Sequence, residues 1–243
     1  MPDAQRILFE TGPVLSVKGL NAWYGESHVL HGVDLEVHRG ETVAILGRNG
    51  AGKTTTLKSI TGAIRKRTGE IRLKGEDTAR LPLHHIARRG LGVVPEERGI
   101  FASLTVEENL MLPPVVQPRG HTVDEIYELF PNLLERRSSQ GTKLSGGEQQ
   151  MLAMARILRT GADILLLDEP TEGLAPVIVK RIGSVIRALK EKGMTVVLVE
   201  QNFQFARRLA DRYYVMEDGK VIDALSAAEL PGRIDELNEM LGV

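Results

Sequence analysis

Eight residues near the start of the chain have the types and the spacing that bind a polyphosphate. They fit the pattern G-x-x-x-x-G-K-[ST], and they are Gly47, Arg48, Asn49, Gly50, Ala51, Gly52, Lys53 and Thr54. Backbone N–H groups bind the phosphates in one concavity, and we expect Gly47, Gly50 and Gly52 to supply the unusual backbone angles. The Lys53 ammonium would reach the β- and γ-phosphates, and the Thr54 hydroxyl would hold Mg²⁺.

Such a loop needs a strand before it and a helix after it. Residues 42–46 form an apolar, β-branched run of strand length, and residues 53–61 contain no Gly or Pro. The start of that helix, with Thr55 in its first turn, would add a positive dipole to the phosphate site.

Two adjacent carboxylates supply the chemistry that a bound triphosphate needs. Asp168 and Glu169 follow four apolar residues, 164–167, which predict a buried parallel strand. Ligands bind at the carboxyl ends of such strands. There Asp168 would share the Mg²⁺ shell with Thr54, and Glu169 would act as general base on the attacking water.

A second anion site is predicted at residues 144–150, which read Leu-Ser-Gly-Gly-Glu-Gln-Gln. A serine hydroxyl, free N–H groups and a helix dipole meet where a helix starts with Ser and two glycines. The candidate nucleotide contacts in this segment are Ser145, Gly146, Gly147 and Glu148. An ordinary capped helix with a glycine entry is the alternative for this segment taken alone.

Taken together, these segments resemble the ATP-binding subunit of ABC transporters, whose signature is L-S-G-G-Q. The resemblance spans about residues 14–243. It implies an α/β P-loop NTPase: a mainly parallel sheet core with an antiparallel β subdomain and an inserted helical subdomain. It divides the chain into a leader (1–13), a nucleotide-binding core (14–96 and 160–225), a helical subdomain (97–159) and a helical tail (226–243).

The resemblance also assigns roles to three further residues. Tyr24 matches the aromatic residue that stacks on adenine, although a tyrosine packed in the core is the alternative. Glu96 stands where the family usually has a glutamine, and as a carboxylate it would still ligate Mg²⁺. Gln201 stands at the usual switch histidine, where it would donate a hydrogen bond to the γ-phosphate but would not titrate near neutral pH.

Further helices are predicted outside the loop and signature segments, among them residues 83–89, 106–112 and 177–192. The sequence predicts one helix over residues 123–134 and another over residues 203–210. It also predicts a tail helix that begins at Ser226, with Glu229 completing a capping box.

Composition limits the other classes of function. Lys plus Arg number 31 and Asp plus Glu number 32, so no basic surplus indicates a nucleic-acid partner. Cysteine is absent, which excludes disulfides and thiolate metal sites. No apolar run is long enough to cross a bilayer. The resemblance to ABC transporter ATPases implies a peripheral protein at the cytoplasmic face of the inner membrane.

Local strings such as residues 94–101 and 199–202 resemble the smaller ATPase of branched-chain amino acid importers, or the related urea and short-amide importers. The resemblance implies ATP and Mg²⁺ as cofactors, a homodimer or a heterodimer with a paralogous ATPase, membrane permeases, and indirectly a solute-binding protein. A short permease helix would dock on the helical subdomain at apolar residues such as Phe101, Leu110 and Met111. An ABC exporter subunit, a soluble ABC-type ATPase and a regulatory module that binds but does not hydrolyse nucleotide are the alternatives.

Overall fold

The chain folds into two sheets with helices packed around the larger one. The computed structural model describes residues 12–118 and 120–242, so most of the predicted leader lies outside the described residues. The strands are β1 (Leu15–Tyr24), β2 (Ser27–Val37), β3 (Thr42–Leu46), β4 (Arg67–Leu73), β5 (Glu76–Asp77), β6 (Leu91–Val94), β7 (Ile164–Asp168), β8 (Thr195–Glu200), β9 (Arg212–Glu217) and β10 (Lys220–Ser226). The helices are α1 (Lys53–Ile60), α2 (Leu83–Ala87), α3 (Val106–Met111), α4 (Val123–Leu129), α5 (Pro131–Glu135), α6 (Gly146–Arg159), α7 (Pro176–Glu191), α8 (Phe203–Ala206) and α9 (Ile234–Leu241).

The larger sheet has the strand order β10-β9-β3-β8-β7-β6, and only the β10–β9 pair is antiparallel. Its central strands are continuous apolar runs because both faces of the sheet are covered. In β7, Leu165 and Leu167 pack into one core with α6, α7 and the tail, while Ile164 and Leu166 pack into a second core with α1 and the smaller sheet. The predicted, mainly parallel core is confirmed.

The register of the parallel strands brings their polar ends to one edge. Leu46 pairs with Glu200, and Asp168 pairs with Val199. The phosphate loop follows β3 and residue 96 follows β6, so both leave the sheet at this same edge. The fold therefore gathers residues from four separate segments where α/β sheets bind ligands.

The smaller sheet is antiparallel, with the order β2-β1-β4-β5. It covers the second core with apolar side chains from alternate positions of β1 and β2, such as Leu15, Val17 and Val33. Through Leu30, the same sheet contacts the phosphate loop, since a Cβ on Gly52 would lie 2.8 Å from the Leu30 Cδ2.

Two of the predicted helices are wrong in extent. The helix expected over residues 123–134 is two helices, α4 and α5, which are separated at Phe130 (φ −130°, ψ 68°). Pro131 begins α5, and its ring excludes the helical conformation from the residue before it. The helix expected over residues 203–210 ends at Ala206, and Leu209 and Ala210 continue as a buried connection to β9.

The tail also differs from the prediction. Ser226 does not begin a helix; it ends β10, where it pairs with Arg212 of β9. The Glu229 carboxylate does accept hydrogen bonds from the Ser226 backbone N–H (2.8 Å) and hydroxyl (2.7 Å), but these bonds fix a turn. The tail helix is α9, which buries Leu237 and Leu241 against the first core.

Candidate functional site

The phosphate loop uses its three glycines for two different reasons. Gly50 (φ +84°) and Gly52 (φ +102°) lie in the left-handed region, as predicted. Gly47 does not: it is required because a Cβ there would lie 2.5 Å from the Met216 carbonyl oxygen. Nothing lies within 4 Å of a Cβ built on Gly50, so the positive φ and not a close contact accounts for this glycine.

Lys53 lies at the centre of the loop and binds the candidate catalytic base. Its ammonium donates to the carbonyl oxygens of Gly47 (2.9 Å) and Arg48 (3.1 Å) and forms an ion pair with Glu169 Oε1 (3.0 Å). The side chains of Lys53 and Glu169 are only 3% and 11% exposed. The positive charge of Lys53 and the negative charge of Glu169, both largely buried, therefore compensate each other.

The Thr54 hydroxyl and the Asp168 carboxylate, which the sequence assigned to one metal shell, are in direct contact. Thr54 Oγ1 donates to Asp168 Oδ1 at 2.9 Å. Burial raises the pKa of Asp168, while the hydrogen bond from Thr54 opposes that shift. Glu169 has a positive φ of 44°, and its backbone N–H donates to Val199 O at 3.0 Å. These contacts fix both carboxylates at the edge of the sheet.

An open cavity of about 370 Å³ lies between the loop and the acidic residues. Its lining consists of Val29, Asn49, Gly50, Gly52, Lys53, Thr54, Thr55, Glu96, Glu169 and Glu172. Burial, together with the neighbouring carboxylates of Glu169 and Glu96, raises the pKa of Glu172. Sequence reasoning did not assign Glu172 to this site, because the position of its side chain depends on the turn that follows Glu169.

The residues present fit a magnesium ion whose shell is completed by phosphate and water. The part of the chain that the structure describes has no cluster of three or more His, Cys, Asp or Glu side chains that would hold a metal alone. Magnesium characteristically binds through one or two protein oxygens plus substrate phosphates. Thr54 and Asp168 supply such oxygens, and Glu96 lines the same cavity.

Gln201 lies beside the base rather than in the phosphate cavity. It lines an adjoining cavity of about 340 Å³ together with Glu169, Glu172 and Glu200. Glu200 is 2% exposed and accepts hydrogen bonds from Thr171 and Asn202. Sequence reasoning missed Glu200, although a charged residue at the end of the apolar run 195–199 was a signal that could have identified it.

Tyr24 ends β1 and is 48% exposed, so it does not pack in the core. The neighbouring Trp23 stacks on His28 instead, with ring centroids 4.4 Å apart. Tyr24 does not line the phosphate cavity. Its ring is nevertheless accessible on the sheet that contacts the loop, and adenine stacking stays a prediction.

The signature segment begins α6, as predicted, with a complete capping box. The Ser145 hydroxyl accepts from the Glu148 backbone N–H (3.3 Å), while Glu148 Oε2 accepts from the Ser145 N–H and hydroxyl (both 2.7 Å). Burial alone would raise the pKa of Glu148, but the hydrogen bonds from Ser145 and the nearby Arg136 lower it. Gly147 packs tightly, since a Cβ there would lie 2.7 Å from Ile178.

Within one chain, the signature and the phosphate loop are not brought together. Among the described residues, none of 145–148 lines the phosphate cavity. Arg98 lies over Gly146, because its guanidinium is 3.3 Å from the position of a Cβ on that glycine.

No helix in the described ranges 12–118 and 120–242 has the length and apolar character needed to span a membrane.

Comparison with known proteins identifies close relatives along most of the chain. The family model described as ABC transporter matches residues 30–172. The high-affinity branched-chain amino acid transport ATP-binding protein BraG of Pseudomonas aeruginosa is 44% identical over 212 residues, or 86% of this chain and 91% of that protein. The lipopolysaccharide export system ATP-binding protein LptB of Haemophilus influenzae is 38% identical over 217 residues, or 86% of this chain and 89% of that protein.

Solved structures share the fold. A nucleotide-free ATP-binding cassette from an ABC transporter has a TM-score of 0.82 at 22% identity, covering 95% of this chain and 99% of that one. The dimeric structure of MJ0796, a bacterial ABC transporter cassette, has a TM-score of 0.77 at 28% identity, covering 88% of this chain and 98% of that one. The chain therefore belongs to the ATP-binding subunits of ABC transporters, with their P-loop NTPase fold, and it is an ATPase.

Proposed function

We propose that this chain powers the uptake of branched-chain amino acids, by binding and hydrolysing ATP for partner permeases. The observation that supports hydrolysis is the contact between Lys53 and Glu169, because it holds a carboxylate beside the phosphate loop. The 44% identity to BraG supports the class of solute. The solute itself would be held by the permeases and by a solute-binding protein.

The chain binds the triphosphate with its backbone and one ammonium. The first N–H groups of α1 have no partners within the helix, and the residues of its first turn, Lys53, Thr54 and Thr55, line the phosphate cavity. Lys53 already contacts two loop carbonyls, and it exchanges its contact with Glu169 for the β- and γ-phosphates. Tyr24 covers the adenine from the exposed end of β1.

The released Glu169 carboxylate then accepts a proton from the attacking water. The turn at positive φ and the bond to Val199 keep its side chain at the sheet edge. Gln201, beside it, donates a hydrogen bond to the γ-phosphate. Thr54, Asp168 and Glu96 would hold Mg²⁺, which would supply charge neutralisation for the transferred phosphate.

A complete site requires a second ATPase chain, because the signature of one chain lies away from its own loop. The hydroxyl of Ser145 and the N–H groups at Gly146 and Gly147 close over the phosphates of the partner. Glu148 serves this site by fixing Ser145, because Glu148 Oε2 accepts hydrogen bonds from both the backbone N–H and the hydroxyl of Ser145. The dimeric cassette MJ0796 supports this arrangement.

A complementation experiment tests the shared site. Lys53→Ala disables the loop of one chain, and Ser145→Arg blocks the signature of the other. Each variant alone is expected to be inactive, whereas a 1:1 mixture regains about a quarter of the wild-type sites, because half of the dimers carry one intact site of two. Full ATPase activity of Ser145→Arg alone would contradict the shared site.

The permeases dock in an apolar cavity of about 380 Å³ at the cytoplasmic face of the membrane. The cavity lies between helix α2 and the edge strand β6 on one side and, on the other, residues 114–116 and 157–160, which belong to the helical segment (residues 97–160). Leu110 cannot contribute, because it is fully buried in the core of the helical segment. Phe101 is half exposed, but the Arg156 guanidinium covers its ring at 4.9 Å. Met111 is exposed but does not line this cavity.

An exporter subunit is the second candidate, because LptB is 38% identical. Reconstitution in vesicles with the permeases that co-purify separates the two functions. Leucine uptake that depends on ATP and a binding protein is expected for the importer, and urea provides the control for the short-amide alternative. ATPase stimulation by lipopolysaccharide, without leucine uptake, would establish the exporter instead.

A further inference from the structure

Glu200 is a buried carboxylate that does not line the phosphate cavity. It ends β8 and is 2% exposed. Its Oε1 accepts from the Thr171 hydroxyl (2.7 Å) and backbone N–H (3.3 Å), and its Oε2 accepts from the Asn202 backbone N–H (3.2 Å). A buried carboxylate is costly unless such bonds satisfy it, so all three contacts matter to the local structure.

These bonds join the two segments that carry the candidate catalytic side chains. Thr171 lies two residues after Glu169, and Asn202 directly follows Gln201. The Glu169 N–H is bound to Val199, one residue before Glu200. The end of β8 therefore holds the loop of the base at two points, and one carboxylate connects that loop to the Gln201 segment.

We propose that Glu200 is a positioning residue for ATP hydrolysis, which fixes the loop after Glu169 to the segment that carries Gln201. This inference rests on the proposed roles of Glu169 and Gln201. Because Glu200 does not line the phosphate cavity, it acts on turnover and not on ATP binding. A merely structural Glu200 would instead affect folding stability and leave turnover per folded molecule unchanged.

The Glu200 carboxylate lies in a buried environment that affects its protonation. Burial raises the pKa of Glu200 to about 7, opposed by the bonds from Thr171 and Asn202 and increased by the charge of Glu169. Glu169 is itself paired with Lys53, and Glu172 lines the same cavity. Activity is therefore best compared at pH 8, where the Glu200 carboxylate is mostly ionised.

The test measures kcat and KM for Mg-ATP hydrolysis by the full chain. Glu200→Gln keeps the volume but replaces one acceptor oxygen with a donor, and we expect kcat to fall about tenfold, the effect of about 1.4 kcal/mol on the barrier, with KM within twofold. Thr171→Val removes only the hydroxyl donor and should lower kcat severalfold, whereas Thr171→Ser keeps it and should restore the wild-type value. The kcat of the double variant Glu200→Gln/Thr171→Val should be no lower than that of Glu200→Gln alone, because both changes remove the same contact.

Thr195→Val provides the matched control, because Thr195 is a buried hydroxyl at the opposite end of β8 that accepts from the Gly40 N–H. It should leave kcat unchanged. Wild-type kcat in Glu200→Gln, or equal kcat in Thr171→Val and Thr195→Val, would overturn the inference. If Glu200→Gln does not fold, the comparison of kcat between Thr171→Val and Thr171→Ser tests the inference instead. Absence of hydrolysis by the wild-type chain would instead overturn the proposed function.

Discussion

At the scale of single residues, the site is a network of charges that depend on one another. Lys53 and Glu169 are both largely buried, and each is the other's ionic partner. Removal of one partner from such a pair leaves an uncompensated charge, which costs more than the pair itself contributes. The residues that we propose to bind and cleave ATP therefore also affect the stability of the fold.

Lys53→Ala is accordingly expected to lower the free energy of unfolding by about 3 kcal/mol. Adding Glu169→Gln to that variant removes the unpaired carboxylate, so the double variant should recover at least half of the loss. Urea unfolding of the wild type, both single variants and the double variant measures the coupling. A double variant as unstable as Lys53→Ala alone would show that the pair is not buried as described.

Glu200 makes stability depend on pH in a defined direction. Burial raises its pKa from 4.5 to about 7, so the folded chain keeps a proton that the unfolded chain releases between these values. The resulting contribution of Glu200 to the free energy of unfolding is therefore fully present below pH 4.5, and it is lost as the pH rises through 7. Relative to Glu200→Gln, the wild type should lose roughly 3 kcal/mol of unfolding free energy between pH 4.5 and 8. Parallel pH profiles of the two proteins would contradict the raised pKa.

At the scale of elements, the loop that carries Glu96 is attached to the signature helix α6. Arg98 Nη1 donates to Gln149 Oε1 at 3.0 Å, and Arg156 donates to the Gly99 carbonyl. Both arginines link the loop to α6, since Gln149 and Arg156 lie on that helix. A shift of α6 would therefore be transmitted to the carboxylate at the phosphate cavity.

Arg156→Ala should loosen this attachment. We expect hydrogen exchange of the amides in residues 99–101 to become about tenfold faster, which corresponds to one hydrogen bond of about 1.4 kcal/mol. Exchange in α1 should not change, since that helix contacts neither arginine. Arg136→Ala, which removes an exposed arginine from the capping Glu148 at the other end of α6, is the control. Unchanged exchange at 99–101 would show that the loop is held by other contacts.

Elements with a strong local signal were predictable from the sequence, and elements fixed by distant pairing were not. Strands β3 and β7 are continuous apolar runs, and α6 has its own capping box, so local patterns identified them. Ser226 has the local pattern of a helix cap, but its pairing with Arg212 extends β10 instead. The break at Phe130 was visible in the sequence, because Pro131 follows it. The steric need for Gly47 depends on the Met216 carbonyl, which is distant in sequence.

At the scale of the whole molecule, the apolar cavity between the sheet edge and the helical segment is the proposed contact with the permeases. Leu83 lines it and is 51% exposed. Leu83→Glu should leave basal ATP hydrolysis unchanged and reduce permease co-purification at least tenfold, because a charge would be buried in an apolar contact. Ile222→Glu, at a 46% exposed site on β10, is the control. Equal co-purification of both variants would place the permease elsewhere.

The central claim is that Glu169 acts as the base at a phosphate loop that binds ATP without it. The most direct measurement compares ATP binding and turnover of Glu169→Gln with those of the wild type. We predict that the Kd for ATP changes little, because the loop backbone and Lys53 remain, while kcat falls at least about a hundredfold. Wild-type turnover in this variant would contradict the account.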